Sequence, residues 1–306
     1  MIASAYRSAS RRSDLPILGA LVAVSVWSLG PLFVRGISAS TPTIVLFRLW
    51  LAVPVMVSLA YVTGGRLSWN VARVTFLPGA LFAVSMVTSF GSFKLTSIAN
   101  ATLISALSPA LILLVSGPLF AERHSARQMA GAALGIGGVA VVVLGSGATS
   151  GASFAGDALA MGNLTVWTGY LLVTKHLRGS GMHAGSFIST VFLWSAIIIT
   201  PWALLSSDDL GAIGGRDWLM LAGLVFLPGL FGHGLMTWAQ RHLDVTVVSL
   251  LLLANPVLST IGAWLIYDQA LRPIQLVGAL ILIGGLGAIV VEQRALMVVD
   301  PVTSPS

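Results

Sequence analysis

Ten apolar runs of membrane-spanning length follow one another along the chain, at 15–35, 42–63, 72–93, 98–120, 126–146, 155–176, 183–205, 217–239, 245–267 and 272–292. Short polar turns part most of them. In hydrocarbon every backbone N–H and C=O must find its partner within the segment, so each run of about 20 apolar residues predicts a helix. Alternation over about 10 residues, the mark of a membrane β-barrel strand, is missing. The prediction is an all-α membrane protein of ten transmembrane helices.

The pattern also repeats. Shifted by 147 positions, Leu103, Pro109, Gln128, Gly131, Ala132, Ile136, Gly137, Gly138 and Val143 fall on Leu250, Pro256, Gln275, Gly278, Ala279, Ile283, Gly284, Gly285 and Val290. Lys94 falls on Arg241 at the same shift, and Trp27 and Arg35 fall on Trp167 and Lys175 at a shift of 140. The chain therefore divides into an N-terminal tail (1–14), a five-helix repeat (15–146), a linker (147–154), a second five-helix repeat (155–293) and a C-terminal tail (294–306). Five is odd, so the second repeat enters the membrane inverted relative to the first, an architecture common among secondary transporters.

Composition agrees with this reading. Charged residues are 8% of the 306 positions and hydrophobic ones 56%, and mean hydropathy is +0.94; a soluble exterior calls for about 25% charged residues. The net charge of +6 would suggest nucleic acid in a soluble protein. Here the basic residues lie between apolar spans and act as topology signals, so the bilayer is the expected partner and nucleic acid is not. With the N-terminus inside, Arg7, Arg11, Arg12, Arg66, Arg73, Arg123, Arg127, Lys175, Arg178, Arg241 and Arg294 share the cytoplasmic side, against Arg35, Lys94, Arg216 and Arg272 outside; Arg48 lies within span 2. Both termini are thus expected in the cytoplasm. The run Leu15–Val34 after the N-terminal arginines resembles a signal peptide, but its full spanning length and its counterpart in the second half make it the first span.

The residues that repeat are similar to those of the drug/metabolite transporter superfamily, in its EamA-like group of ten-helix permeases. The resemblance rests on Phe47-Arg48, the Ser108-Pro109 break, Glu122 thirteen residues later, the Gln128 to Gly138 pattern and, in the second copy, Asn255-Pro256, Gln275, Gly278 and Gly284-Gly285. Gln269 stands where the second hairpin acid is expected, with Asp268 one residue early. The resemblance implies an inner-membrane permease for small organic metabolites, most commonly an amino-acid exporter, working by alternating access.

Pro109 and Pro256 cannot donate to the carbonyls of Ser105 and Leu252, so both helices should kink. The kinks serve either as static packing features or as hinges beside a cavity. Substrate-binding candidates are Trp27, Ser28, Thr88, Ser105, Ser108, Asn163, Trp167, Tyr170, His233, Thr237 and Asn255, a set of aromatic faces with a few amide, hydroxyl and imidazole groups suited to a small amphipathic solute. Singly, the serines and threonines serve equally as backbone or interhelix glue. His233 either lines the cavity, bonds a neighbouring helix or couples protons. All ten acids fall at or outside span ends, which argues against a carboxylate proton relay. Arg48 either snorkels to headgroups or meets an anionic solute.

Gly131-X-X-X-Gly135 and Gly284-X-X-X-Ala288 permit close approach, either of spans 5 and 10 or of two copies in a homodimer. An intramembrane enzyme would need a nucleophile with its base, or metal ligands, at one depth, and the chain has no cysteine, no HExxH motif and no paired acids within a span; no metal or cofactor is expected. A channel would want a continuous polar stripe, and none is visible.

Overall fold

The computed structural model describes residues 2–120, 124–145, 151–178, 182–240, 242–243, 245–270 and 272–299. The hairpin acid Glu122 and the linker residues 147–150 fall outside them. All regular structure among them is helical: α1 (Ile2–Gly36), α2 (Thr41–Val62), α3 (Trp69–Val74), α4 (Phe76–Leu95), α5 (Ile98–Ser105), α6 (Ser108–Phe120), α7 (Ala126–Gly145), α8 (Phe154–Arg178), α9 (Ala184–Ser206), α10 (Gly215–Leu224), a π-helical segment (Val225–Gly232), α11 (His233–Gln240), α12 (Val245–Leu252), α13 (Ala254–Tyr267) and α14 (Pro273–Val299). They make the ten expected crossings. Nine have the length and apolarity to span a bilayer, counted among the described residues. The tenth, α8, is long enough but dilutes its apolar surface with Asn163, Trp167, Thr168, Tyr170 and Thr174.

Four spans differ from uninterrupted helices. The third starts later than expected, because Thr75 turns the chain between the short α3, capped by Ser68 accepting from Val71 N, and α4. The fourth and ninth are broken rather than kinked: the helix stops at Ala106-Leu107 before Pro109 and at Leu253 before Pro256. The eighth carries a π-helical stretch around Pro228, which cannot donate to the carbonyl one turn back.

The most extensive helix contact joins α7 to α14, the fifth and tenth spans. It is backbone against backbone. A Cβ on Gly131 would lie 2.7 Å from the Gly285 carbonyl oxygen, and one on Gly138 2.5 Å from Leu282 N and 2.7 Å from the Gly278 oxygen. Since 131 + 147 is 278 and 138 + 147 is 285, the two contacts exchange under the repeat shift, as a pseudo-two-fold between the halves requires. The expected motif holds in α7, where Gly131 O and Gly135 N both back onto Gly285, but needs correction in α14: Gly284 meets nothing, and the glycines in contact are Gly278 and Gly285, seven residues or two turns apart. This glycine stripe is occupied within the chain.

The duplicated glutamines cap their helices. Gln128 Oε1 accepts from Ser125 N at 2.9 Å, and Gln275 Oε1 accepts from Arg272 N at 3.0 Å while its Nε2 reaches Asn100 Oδ1 at 3.1 Å. Gln269, the departure from the family's acid, is buried and accepts from Ile98 N at 3.0 Å, while Asp268 ends α13 in the left-handed region at φ 53°.

At the end of the bundle opposite the termini, polar groups stitch the spans together. Arg35 donates to the carbonyls of Phe93, Lys94 and Thr96 at 3.1, 2.6 and 3.3 Å, closing the end of α4. Lys94 donates to the Ile37 carbonyl. Asp157 accepts from Thr96 at 2.6 Å and Asn100 at 3.1 Å, and Asp217 accepts from Ser38 N at 3.1 Å. Asp209 collects Ser40 N at 2.6 Å, Ser40 Oγ and Ser207 Oγ at 2.8 Å each, and the Thr43 hydroxyl. Burial alone would raise the Asp209 carboxyl, but these hydrogen bonds outweigh it and hold it below the usual carboxylate range.

Two outcomes follow for purified protein in detergent. Gly138→Ala should lower the melting temperature, because overpacking against backbone costs about 1–3 kcal/mol. Gly137→Ala meets open space and should leave it unchanged or raise it, by up to about 1 kcal/mol of helix propensity. The second outcome concerns pH. A carboxylate with a depressed folded-state pKa stabilises fully above its unfolded value, about 3.9, and loses that contribution as pH falls below it. The melting difference between wild type and Asp209→Asn should therefore be constant from about pH 8 to 5 and shrink below about pH 4; an unchanged difference at pH 3 would remove Asp209 from the list of stabilising groups.

Candidate functional site

Two aromatic groups, one on each side of the bundle interior, are built by helix spacing. On α8, Asn163, Trp167, Tyr170 and Thr174 recur at intervals of four, three and four and so share one face. Trp167 stacks on Tyr170 with centroids 5.0 Å apart, and Phe82 of α4 closes on both, at 6.3 and 5.5 Å. Asn163 is buried and accepts from Ser85 Oγ at 2.8 Å. The hydroxyls of Thr168 and Thr174 are enclosed without a hydrogen-bond partner.

The second group joins spans 1 and 8. Trp27 of α1 donates from Nε1 to the Pro228 carbonyl at 3.0 Å, and its ring packs on the His233 imidazole at 4.8 Å between centroids. Gly232 makes this possible, since a Cβ there would lie 2.7 Å from the indole. The irregular backbone around Pro228 thus offers a carbonyl to Trp27 and, at its end, aims His233. The His233 side chain is exposed beside Trp27.

The broken helices contribute backbone chemistry. Pro109 leaves the Ser105 carbonyl without its amide donor, and the Ser108 hydroxyl takes it at 2.9 Å. Ser105 Oγ donates to the Ala101 carbonyl at 2.8 Å. Ser28 donates to Ser25 O at 2.6 Å and Thr88 to Val84 O at 2.9 Å. The hydroxyl protons of these four candidates are thus directed to their own helices, which leaves lone pairs for any solute. Ser259 of α13 donates to the Ser28 carbonyl at 3.1 Å, binding the ninth span to the first. Asn255 is half-buried just before the buried Pro256, whereas Pro109 is exposed. The Thr237 side chain lies outside the described residues.

Arg48 is the residue whose place the sequence understated. Seven residues into α2, about 10 Å below its start at 1.5 Å per residue, it does not snorkel to the end of the bundle. It turns inward onto α4, where Nη1 lies 2.9 Å from Met86 Sδ and Cζ sits 5.2 Å from the Phe90 ring centroid. Its Nε is enclosed without a partner. Phe82, Met86 and Phe90 are four residues apart, so the α4 face that carries Arg48 continues to the Trp167–Tyr170 pair. The signal for this was the absence of any acid inside a span, which left an intramembrane cation with nothing to pair with.

No curated protein matches the chain. A protein of known crystal structure, 23% identical, superposes over 94% of this chain and 99% of its own with a TM-score of 0.61, a likeness of fold. The EamA-like transporter family matches residues 14–144 and again 154–291. With five spans in each match and the two copies meeting through exchanged glycine contacts, this multi-pass membrane protein belongs to the EamA-like transporter family.

Proposed function

We propose that the protein exports small organic metabolites such as amino acids across the inner membrane, with both termini cytoplasmic. Transport proceeds by alternating access around a midplane space between residues 15–146 and 155–293, joined by the linker 147–154. The observation that carries this reading is that both aromatic groups join the two halves, Trp27 of the first to His233 of the second and Phe82 of the first to Trp167 and Tyr170 of the second. Flat aromatic walls with few polar groups suit a small amphipathic solute. Pro109 and Pro256 act as bending points, since the backbone is already interrupted beside both.

The polar network at the end opposite the termini supports an arrangement closed on the outer side, with Asp157, Asp209 and Asp217 each holding two segments together. Alternating access requires that network to part. As a member of a transporter family the protein is no enzyme. A channel-like facilitator is the competing mechanism.

Proteoliposomes loaded with labelled amino acids should release them faster than empty-vector vesicles, with saturable kinetics and no unitary currents in single-channel recording. Trp167→Ala and His233→Ala should each slow release about tenfold or more, the usual effect of losing a central aromatic anchor. A thermal-shift screen over amino acids, polyamines, nucleosides and quaternary amines tests the same site, because a solute binding the folded state alone raises its melting temperature. Release no faster than leakage would overturn the transporter reading for these solutes; unaltered release in both variants would move the site elsewhere.

A further inference from the structure

We infer that Arg48 is the binding group for a carboxylate on the transported solute, and that the site selects small monoanionic or zwitterionic acids with an apolar body over amines of the same shape. The inference rests on the transport pathway proposed above and adds the charge of the cargo.

The argument begins with what Arg48 lacks. A guanidinium has five N–H donors, and the described residues engage one, through the weakly accepting sulfur of Met86. Nε, enclosed, has no acceptor at all. The one ion pair among the described residues, Arg127 with Glu292 at 3.5 Å, belongs to other helices. Asp157, Asp209 and Asp217 are held by their own hydroxyl, amide and backbone donors at the end of the bundle. A half-buried guanidinium with an enclosed, unpaired N–H and no acid beside it is unfavourable, and the ring of Phe90 offsets a fraction of that. With no acid beside it among the described residues, the guanidinium is left to take its partner from solution.

Geometry and charge choose its class. The guanidinium fork matches a carboxylate or a phosphate by paired hydrogen bonds. A single Arg neutralises one negative charge, so a phosphate dianion would leave net charge beside the Phe90 ring, whereas a monocarboxylate leaves none. Phe90 and, further along the same α4 face, Phe82 with the Trp167–Tyr170 pair take the apolar body. An ammonium group finds no carboxylate among these site residues and meets repulsion from Arg48. A solute with an amine and no acid is therefore excluded, and an acid without an ammonium binds at least as well as the amino acid of the same side chain.

The test uses the purified full chain in detergent and four probes sharing one body: 3-phenylpropionate, L-phenylalanine, phenylalaninamide and phenethylamine. The first two should raise the melting temperature, the propionate at least as much, and the last two should not. Arg48→Gln should weaken binding of both acids about tenfold or more, the loss of a charge-assisted hydrogen bond, and Arg48→Lys should retain part of it. The unliganded Arg48→Gln protein should melt no lower than wild type, because it loses an unpaired charge; a purely structural arginine would lower it.

Tight binding of the amine, acids bound equally well by Arg48→Gln, or no binding of either acid would each overturn the inference. Counterflow of labelled phenylalanine and labelled phenethylamine in proteoliposomes separates the two readings. Amine transport leaves the transporter standing and sinks the carboxylate site, whereas transport of neither, with no other solute carried, sinks the transporter reading itself.

Discussion

Two helices touching through bare backbone set the frame for everything else in this protein. In lipid there is no hydrophobic drive to press helices together, so close packing has to supply the association. At Gly131, Gly138, Gly278 and Gly285 the two helices come so near that a single added carbon would collide with a main-chain atom. That closeness ties the fifth span to the tenth and makes the pair a rigid seam. With the seam fixed, the remaining spans of each half can surround an interior space without being needed for its cohesion.

Around that seam, the folding problem is the placement of polar groups. Hydrocarbon offers no water to a carbonyl that proline has deprived of its donor. Ser108 answers this at Pro109, and Trp27 takes the Pro228 carbonyl in the π-helical stretch. The same economy operates at the end opposite the termini, where acids, hydroxyls and arginines satisfy helix ends across five or more spans. Side chains that look like substrate ligands in isolation, such as Ser28, Thr88 and Ser105, turn out to donate to their own helices. Chemistry for a solute is left to the groups these duties do not absorb.

How much of this was readable in the sequence differs by level. Ten spans, the repeat and the contact of spans 5 and 10 follow from apolar length and recurring glycines, because a bilayer imposes those patterns directly. The glycine register did not follow: GxxxG spacing pointed to Gly284, while the crossing uses Gly285 and Gly278, a choice set by how two curved surfaces meet. Pro109 and Pro256 announced an interruption, but whether a helix bends or stops depends on neighbours such as Ser108. The π-helical stretch lies in the second copy of a Phe-Leu-Pro-Gly motif that also occupies 76–79; the repeat did not flag it because Pro78 falls in the first turn of α4, where a missing donor costs nothing, whereas Pro228 falls within the eighth span. Trp27, Trp167, Tyr170 and His233 were legible as a set because polar aromatics deep in spans are unusual. Their pairing as Trp27 with His233 and Trp167 with Tyr170 required the fold.

Arg48 connects this architecture to a mechanism. The residue and its cradle, Met86 and Phe90, belong to the first half, whereas Trp167 and Tyr170, packed on Phe82 of the same α4 face, belong to the second. A solute can bias two conformations only through a difference in its affinity for them. An anion bound to Arg48 cancels the guanidinium charge of the first half, and an apolar body extending along the α4 face meets Phe82 of that half and the Trp167–Tyr170 pair of the other. Occupancy therefore alters the contact between the halves. The empty site carries an uncompensated charge and the filled one does not, and that difference gives bound solute a means of lowering the barrier to exchange between the two sides.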